Sequence, residues 1–74
     1  MLDTVDALMR DMLTWIARED RAYAEVMDAW RTSCPRLPVW EDAVDRGFVA
    51  QRREAGRMFV TVTLAGREFL VRSL

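Results

Sequence analysis

The sequence predicts an α+β fold that is mostly α: three helices, a two-stranded β-hairpin and a short closing helix. Three features of the chain lead there. Apolar residues recur every three or four positions through most of the first 46 residues, which is the period of an amphipathic helix. From Met58 to Leu64 the period drops to two, as in a half-buried strand. Proline and glycine punctuate the joins: Pro35 and Pro38 between helices, Gly47 after the third helix, Gly56 in the hairpin turn. With no linker, repeat or low-complexity tract, residues 1–74 make a single domain. A chain of this length buries about 60% of the surface its unfolded form exposes, so its core needs support. At 51% hydrophobic residues it is too apolar to stay disordered, and rich enough to point to a partner surface.

The first helix is expected over Leu2 to Ala17. Leu2, Val5, Met9, Met12 and Ile16 draw one stripe, which Leu8, Leu13 and Trp15 widen beyond a narrow seam. Asp3 and Asp6 suit its first turn, where the helix dipole favours negative charge. The surplus apolar residues need a second cover, and another copy of the chain is the simplest one. Leu2, Val5, Leu8, Met9, Met12 and Trp15 are therefore the expected contacts of a homodimer. Asp20 is the expected N-cap of a second helix, about Arg21 to Ser33, which buries Tyr23, Val26, Met27 and Trp30 on one face.

Pro35 ends that helix, and residues Cys34 to Leu37 form a turn. Pro38 suits the first position of a third helix, with Glu41 and Asp42 in its first turn. Val39 or Trp40, with Ala43 and Val44, supply its apolar face, and Gly47 supplies the left-handed residue that ends it. Strands follow at Phe48–Arg53 and Met58–Leu64, joined by the turn Glu54-Ala55-Gly56-Arg57. Met58, Val60, Val62 and Leu64 share one face of the second strand; Phe59, Thr61 and Thr63 share the other. Thr63 is placed to cap the last helix, with Gly66 there for close packing and Arg67 as a structural anchor.

In this order of elements the chain resembles a winged helix-turn-helix domain. Residues 21–70 in particular resemble the regulators of the multiple-antibiotic-resistance type. "VDRGFV" at 44–49 is similar to the acidic-x-x-Gly-Leu-Val-like end of that family's recognition helix, and "QRREAGR" at 51–57 stands where its basic wing stands. "VTVTLAGREFL" at 60–70 carries Thr63, Gly66 and Arg67 at the spacing of the family's Leu-Thr-x-x-Gly-Arg, with Val62 in the leucine position. The resemblance implies a small transcriptional regulator that binds double-stranded DNA. The third helix would then face the bases and the hairpin would act as the wing.

The charges both support and oppose that function. Residues 1–30 hold seven acids and three arginines, net −4; residues 51–74 hold five arginines and two acids, net +3. All basic residues are arginine, which reads either as base composition of the gene or as a bias toward bidentate contacts. Arg52, Arg53 and Arg57 gather at the hairpin, suited to phosphate or a minor groove. Arg31 and Arg36 flank the turn and extend the nucleic-acid surface. Against this, the third helix presents Glu41, Asp42 and Asp45 with only Arg46, an acidic surface facing a polyanion. The rival expectation is a winged helix repurposed for protein–protein contact through that acidic helix and the apolar first one.

Catalysis and metal binding have little to stand on. The chain has neither histidine nor lysine, no glycine-rich phosphate cradle and one cysteine, so neither an enzyme nor a cofactor is expected. Cys34 lies at a helix C-terminus, where the dipole opposes a thiolate, and is read as packing. No apolar run is long enough for a membrane span, no export signal is apparent, and one free thiol fits a reducing cytoplasm.

Overall fold

A computed structural model describes residues 4–31 and 38–72, with the backbone alone at Arg31. The first helix, α1, runs over Thr4–Arg18. It buries Met9, Met12, Leu13 and Ile16, spaced by three and four, so one stripe forms the floor of the core. Full burial of each such side chain contributes about 1.5–3 kcal/mol. The end of α1 is closed from outside the helix. The Arg21 guanidinium donates to the Trp15 carbonyl through Nε (3.2 Å) and Nη2 (3.1 Å), and lies 4.5 Å over the Trp15 ring. That places a cation on a last-turn carbonyl, where the helix dipole is negative.

Arg21 and Ala22 are not helical. They form a short strand, β1 (Arg21–Ala22), antiparallel to a later strand with Arg21 opposite Val60 and Ala22 opposite Phe59. The expected hairpin is thus part of a three-stranded sheet. Two residues are too few to show a period, so this strand left no sequence pattern. The second helix, α2, starts at Tyr23 and runs Tyr23–Val26, then widens into a π-helical turn, Met27–Arg31. Its N-cap is Ala22, with no side-chain capping bond, so Asp20 is not the cap it was expected to be. Val26 is buried, and Tyr23, Met27 and Trp30 pack against the core from its margin.

Helix α3 spans Val39–Asp45, with Pro38 one position earlier than expected, as the N-cap residue. The Pro38 carbonyl accepts the Asp42 N–H at 2.9 Å. Val39, Trp40 and Ala43 are buried. Val44, expected among them, is 46% exposed. At about 100° per residue the buried arc centres on Ala43, and Val44 falls past its edge. Gly47, at φ 74°, ends the helix. Its N–H reaches the Val44 carbonyl (3.0 Å) and the Phe48 N–H reaches that of Ala43 (2.9 Å), a Schellman closure that needs a left-handed residue.

Strands β2 (Val49–Glu54) and β3 (Arg57–Val62) pair antiparallel from Val49 opposite Val62 to Glu54 opposite Arg57. The sheet order is β1-β3-β2. Ala55 and Gly56 both have positive φ, 52° and 78°, as a two-residue turn matching the twist of its strands requires. Phe48 precedes β2 and belongs to the core, stacked on Phe69 at 4.9 Å.

Thr63 joins the end of α3 to the start of the last helix, α4 (Leu64–Arg72). Its N–H donates to the Phe48 carbonyl (2.9 Å) and its hydroxyl to the Gly47 carbonyl (2.6 Å). The same hydroxyl accepts the Gly66 N–H at 3.1 Å, which is the expected cap. Gly66 is buried: a Cβ there would overlap the Phe48 carbonyl oxygen and lie 2.7 Å from Val62 Cγ1. Leu64, expected on the buried strand face, instead opens α4 and is 74% exposed. Among the described residues the fold is α+β and mostly helical, four helices with a three-stranded antiparallel sheet, an arrangement compatible with a winged helix.

Candidate functional surfaces

The register of the sheet sorts the hairpin side chains into two faces. Val60 and Val62 lie on the core face. Arg52, Glu54, Arg57, Phe59 and Thr61 alternate onto the outer one, with Arg52 directly opposite Phe59 and Glu54 opposite Arg57. Phe59 is half-buried there, and its ring takes the Arg52 guanidinium at 5.2 Å and that of Arg57 at 5.4 Å.

Arg52 is not a free cation. Its Nη2 and Nε donate to Asp20 Oδ2 at 2.7 and 3.1 Å, and its Nη1 donates to the Glu54 carboxylate. The hydrogen bond from Arg52 holds the Asp20 carboxyl below its usual value; the Thr61 hydroxyl and the charges of Arg52 and Arg67 add to this, while desolvation opposes it. Reciprocally, Glu54 and Asp20 raise the pKa of Arg52. Arg53 and Arg57 are exposed and, among the described residues, pair with no carboxylate.

On α3 the charge is also rearranged by pairing. Nη2 of Arg46 lies 3.2 Å from Asp6 Oδ1 and 3.0 Å from Asp42 Oδ2, one turn back on the same helix. Among the described residues, the cation at the end of α3 is thereby bound between α1 and α3, while Glu41 and Asp45 stay exposed. Beside Glu41, a notch is lined by Tyr23, Met27 and Trp40. The Tyr23 and Trp40 rings meet edge to face at 6.0 Å, which fixes two of its walls.

The expected dimer contacts divide differently. Met9 and Met12 are fully buried in the protein's own core and present nothing to a second copy. Val5, Leu8 and Trp15 are half-buried against that core, with Trp15 under Arg21. Part of the surplus of α1 is thus covered from within, by α3, β3 and α4. Leu2, Arg36 and Cys34, with the side chain of Arg31, lie outside the described residues. Sequence reasoning missed the exposed apolar pair on α4, Leu64 and Val71, at 74% and 68% exposure. The signal was their spacing of seven, obscured by assigning Leu64 to the preceding strand.

No protein-family model matches the chain, and no curated protein is significantly similar to it. Among the described residues no helix is long and apolar enough to cross a membrane, and no cluster of His, Cys, Asp or Glu is suited to a metal ion.

Proposed function

We propose that the chain is a winged helix-turn-helix domain that works as a protein-contact module, receiving a basic partner surface on its third helix. The single observation that carries this is the pairing of Arg46 with Asp6 and Asp42, which leaves Glu41 and Asp45 as the outward charges of α3. Phosphate attraction dominates DNA affinity, and this surface opposes it. The notch of Tyr23, Met27, Trp40 and Glu41 supports the same reading. Two aromatic rings beside a carboxylate suit an arginine or lysine side chain, whose stem is apolar and whose tip is charged.

Fluorescence anisotropy tests the proposal with two probes, a labelled arginine-rich peptide and a labelled duplex. The wild-type chain is expected to bind the peptide and not the duplex at low salt. The Glu41→Arg/Asp45→Arg variant is expected to lose the peptide and gain duplex affinity. Duplex binding by the wild type, with no binding of the peptide, overturns the proposal.

A second reading, a DNA-binding transcriptional regulator, is favoured by one observation: Arg53 and Arg57 stand exposed at the hairpin tip without carboxylate partners among the described residues. In that reading the wing alone grips phosphate or the minor groove, and α3 contributes nothing to affinity.

A further inference from the structure

Helix α4 is held on the core by Gly66 and Phe69 and turns its opposite side outward. That outer side reads Leu64, Arg67, Glu68, Val71, which is one continuous ridge at i, i+3, i+4 and i+7. Its two apolar residues are the most exposed large hydrophobic side chains among the described residues. They stand two turns apart, about 10 Å along the axis, with one cation and one anion between them. Arg67 and Glu68 are sequence neighbours and do not face each other on a helix, so the pair is not closed within the chain.

This ridge is complementary to its own reverse. We propose that a second copy of the chain docks on α4 through an antiparallel, two-fold pairing centred between Arg67 and Glu68. Leu64 of each copy then meets Val71 of the other, and Arg67 of each meets Glu68 of the other. A two-fold interface must place one surface patch against itself, and few arrangements of four residues satisfy apolar and ionic matching together. Here both ends are apolar and the centre is of opposite sign, so each contact occurs twice. The same residues offered to an unrelated surface would need that matching to arise by chance. Four residues on a nine-residue helix make a small contact, so the association is weak, transient and concentration-dependent.

The pairing stands apart from what the α3 surface receives, so either proposal survives the failure of the other. Sedimentation equilibrium of the full chain over a concentration series tests it. The wild-type mass is expected to rise from 8.6 kDa toward twice that value. Leu64→Ser/Val71→Ser is expected to stay monomeric while keeping its helical circular dichroism, because both side chains are exposed. Arg67→Glu alone sets like charges against each other, as does Glu68→Arg alone, and each is expected to lose the dimer. The double exchange Arg67→Glu/Glu68→Arg restores opposite charges and is expected to recover it. A monomer at the highest concentration reached overturns the proposal. So does a dimer indifferent to these substitutions, and so does a double exchange that fails to recover what the single ones lost.

Discussion

Asp20 and Arg52 lie 32 positions apart and tie the start of β1 to the middle of β2. The pair makes a pH prediction with a definite sign. A carboxyl whose folded pKa lies below its unfolded value takes up protons more readily when the chain unfolds. Its contribution is present above the ordinary aspartate value of 3.8 and is lost as pH falls through the lowered folded value. Both side chains are partly exposed, so salt weakens the effect. An NMR titration of the Asp20 carboxyl is expected to show a lowered pKa that climbs toward 3.8 in Arg52→Gln. An Asp20 pKa unmoved by that substitution sinks the assignment. Gly66 makes a second prediction. Glycine to alanine in a helix favours folding by about 1 kcal/mol, but overpacking costs about 1–3 kcal/mol. The obstructing atom is the Phe48 backbone oxygen, which cannot swing aside, so overpacking wins. Gly66→Ala is expected to lower the urea midpoint; a raised midpoint contradicts the close approach.

At the scale of elements, the hairpin turn holds Ala55 at φ 52°, a left-handed conformation that costs a non-glycine residue about 1–2 kcal/mol. Asparagine tolerates it, and Asn-Gly is the preferred pair for such a turn. Ala55→Asn is therefore expected to stabilise the fold by about 1 kcal/mol, read as a higher midpoint in denaturant; an unchanged midpoint means the turn relaxes in solution. Most elements were legible because each has a local cause. Gly47, Thr63 and Gly66 announced a helix end, a helix cap and a close contact from sequence alone, and β3 announced itself by alternation. The strand β1 did not, because two residues in a ladder owe their conformation to Val60 and Phe59 across the sheet. The widening of α2 into a π-helical turn and the outward setting of Val44 were also illegible. Each depends on which neighbours fill the core, a tertiary fact.

For the whole molecule, the candidate surfaces were only half legible. Composition placed the arginines at the hairpin and the acids on the third helix. It did not show that Arg52 and Arg46 would each be bound to two carboxylates, since Asp20 and Asp6 come from distant parts of the chain. That pairing converts the sequence expectation of a basic wing into two arginines, Arg53 and Arg57, without carboxylate partners among the described residues. If those two grip phosphates, duplex affinity falls with salt at a log–log slope of about −1.8. Arg53→Ala/Arg57→Ala would then flatten that slope to near zero. The protein-contact reading expects no measurable duplex affinity from which to take a slope.

The bond from the Thr63 N–H to the Phe48 carbonyl joins the two residues at which the chain enters and leaves the hairpin. With Gly47 and Gly66 bound to the same threonine, α3 and α4 are fastened to each other at the hairpin's root. The tip is consequently a graft site. The turn at Gly56 opens on free space, and each doubling of a flexible loop costs only about 0.6 kcal/mol. The side chains at the hairpin tip can thus be exchanged while the helical body keeps its own fastening.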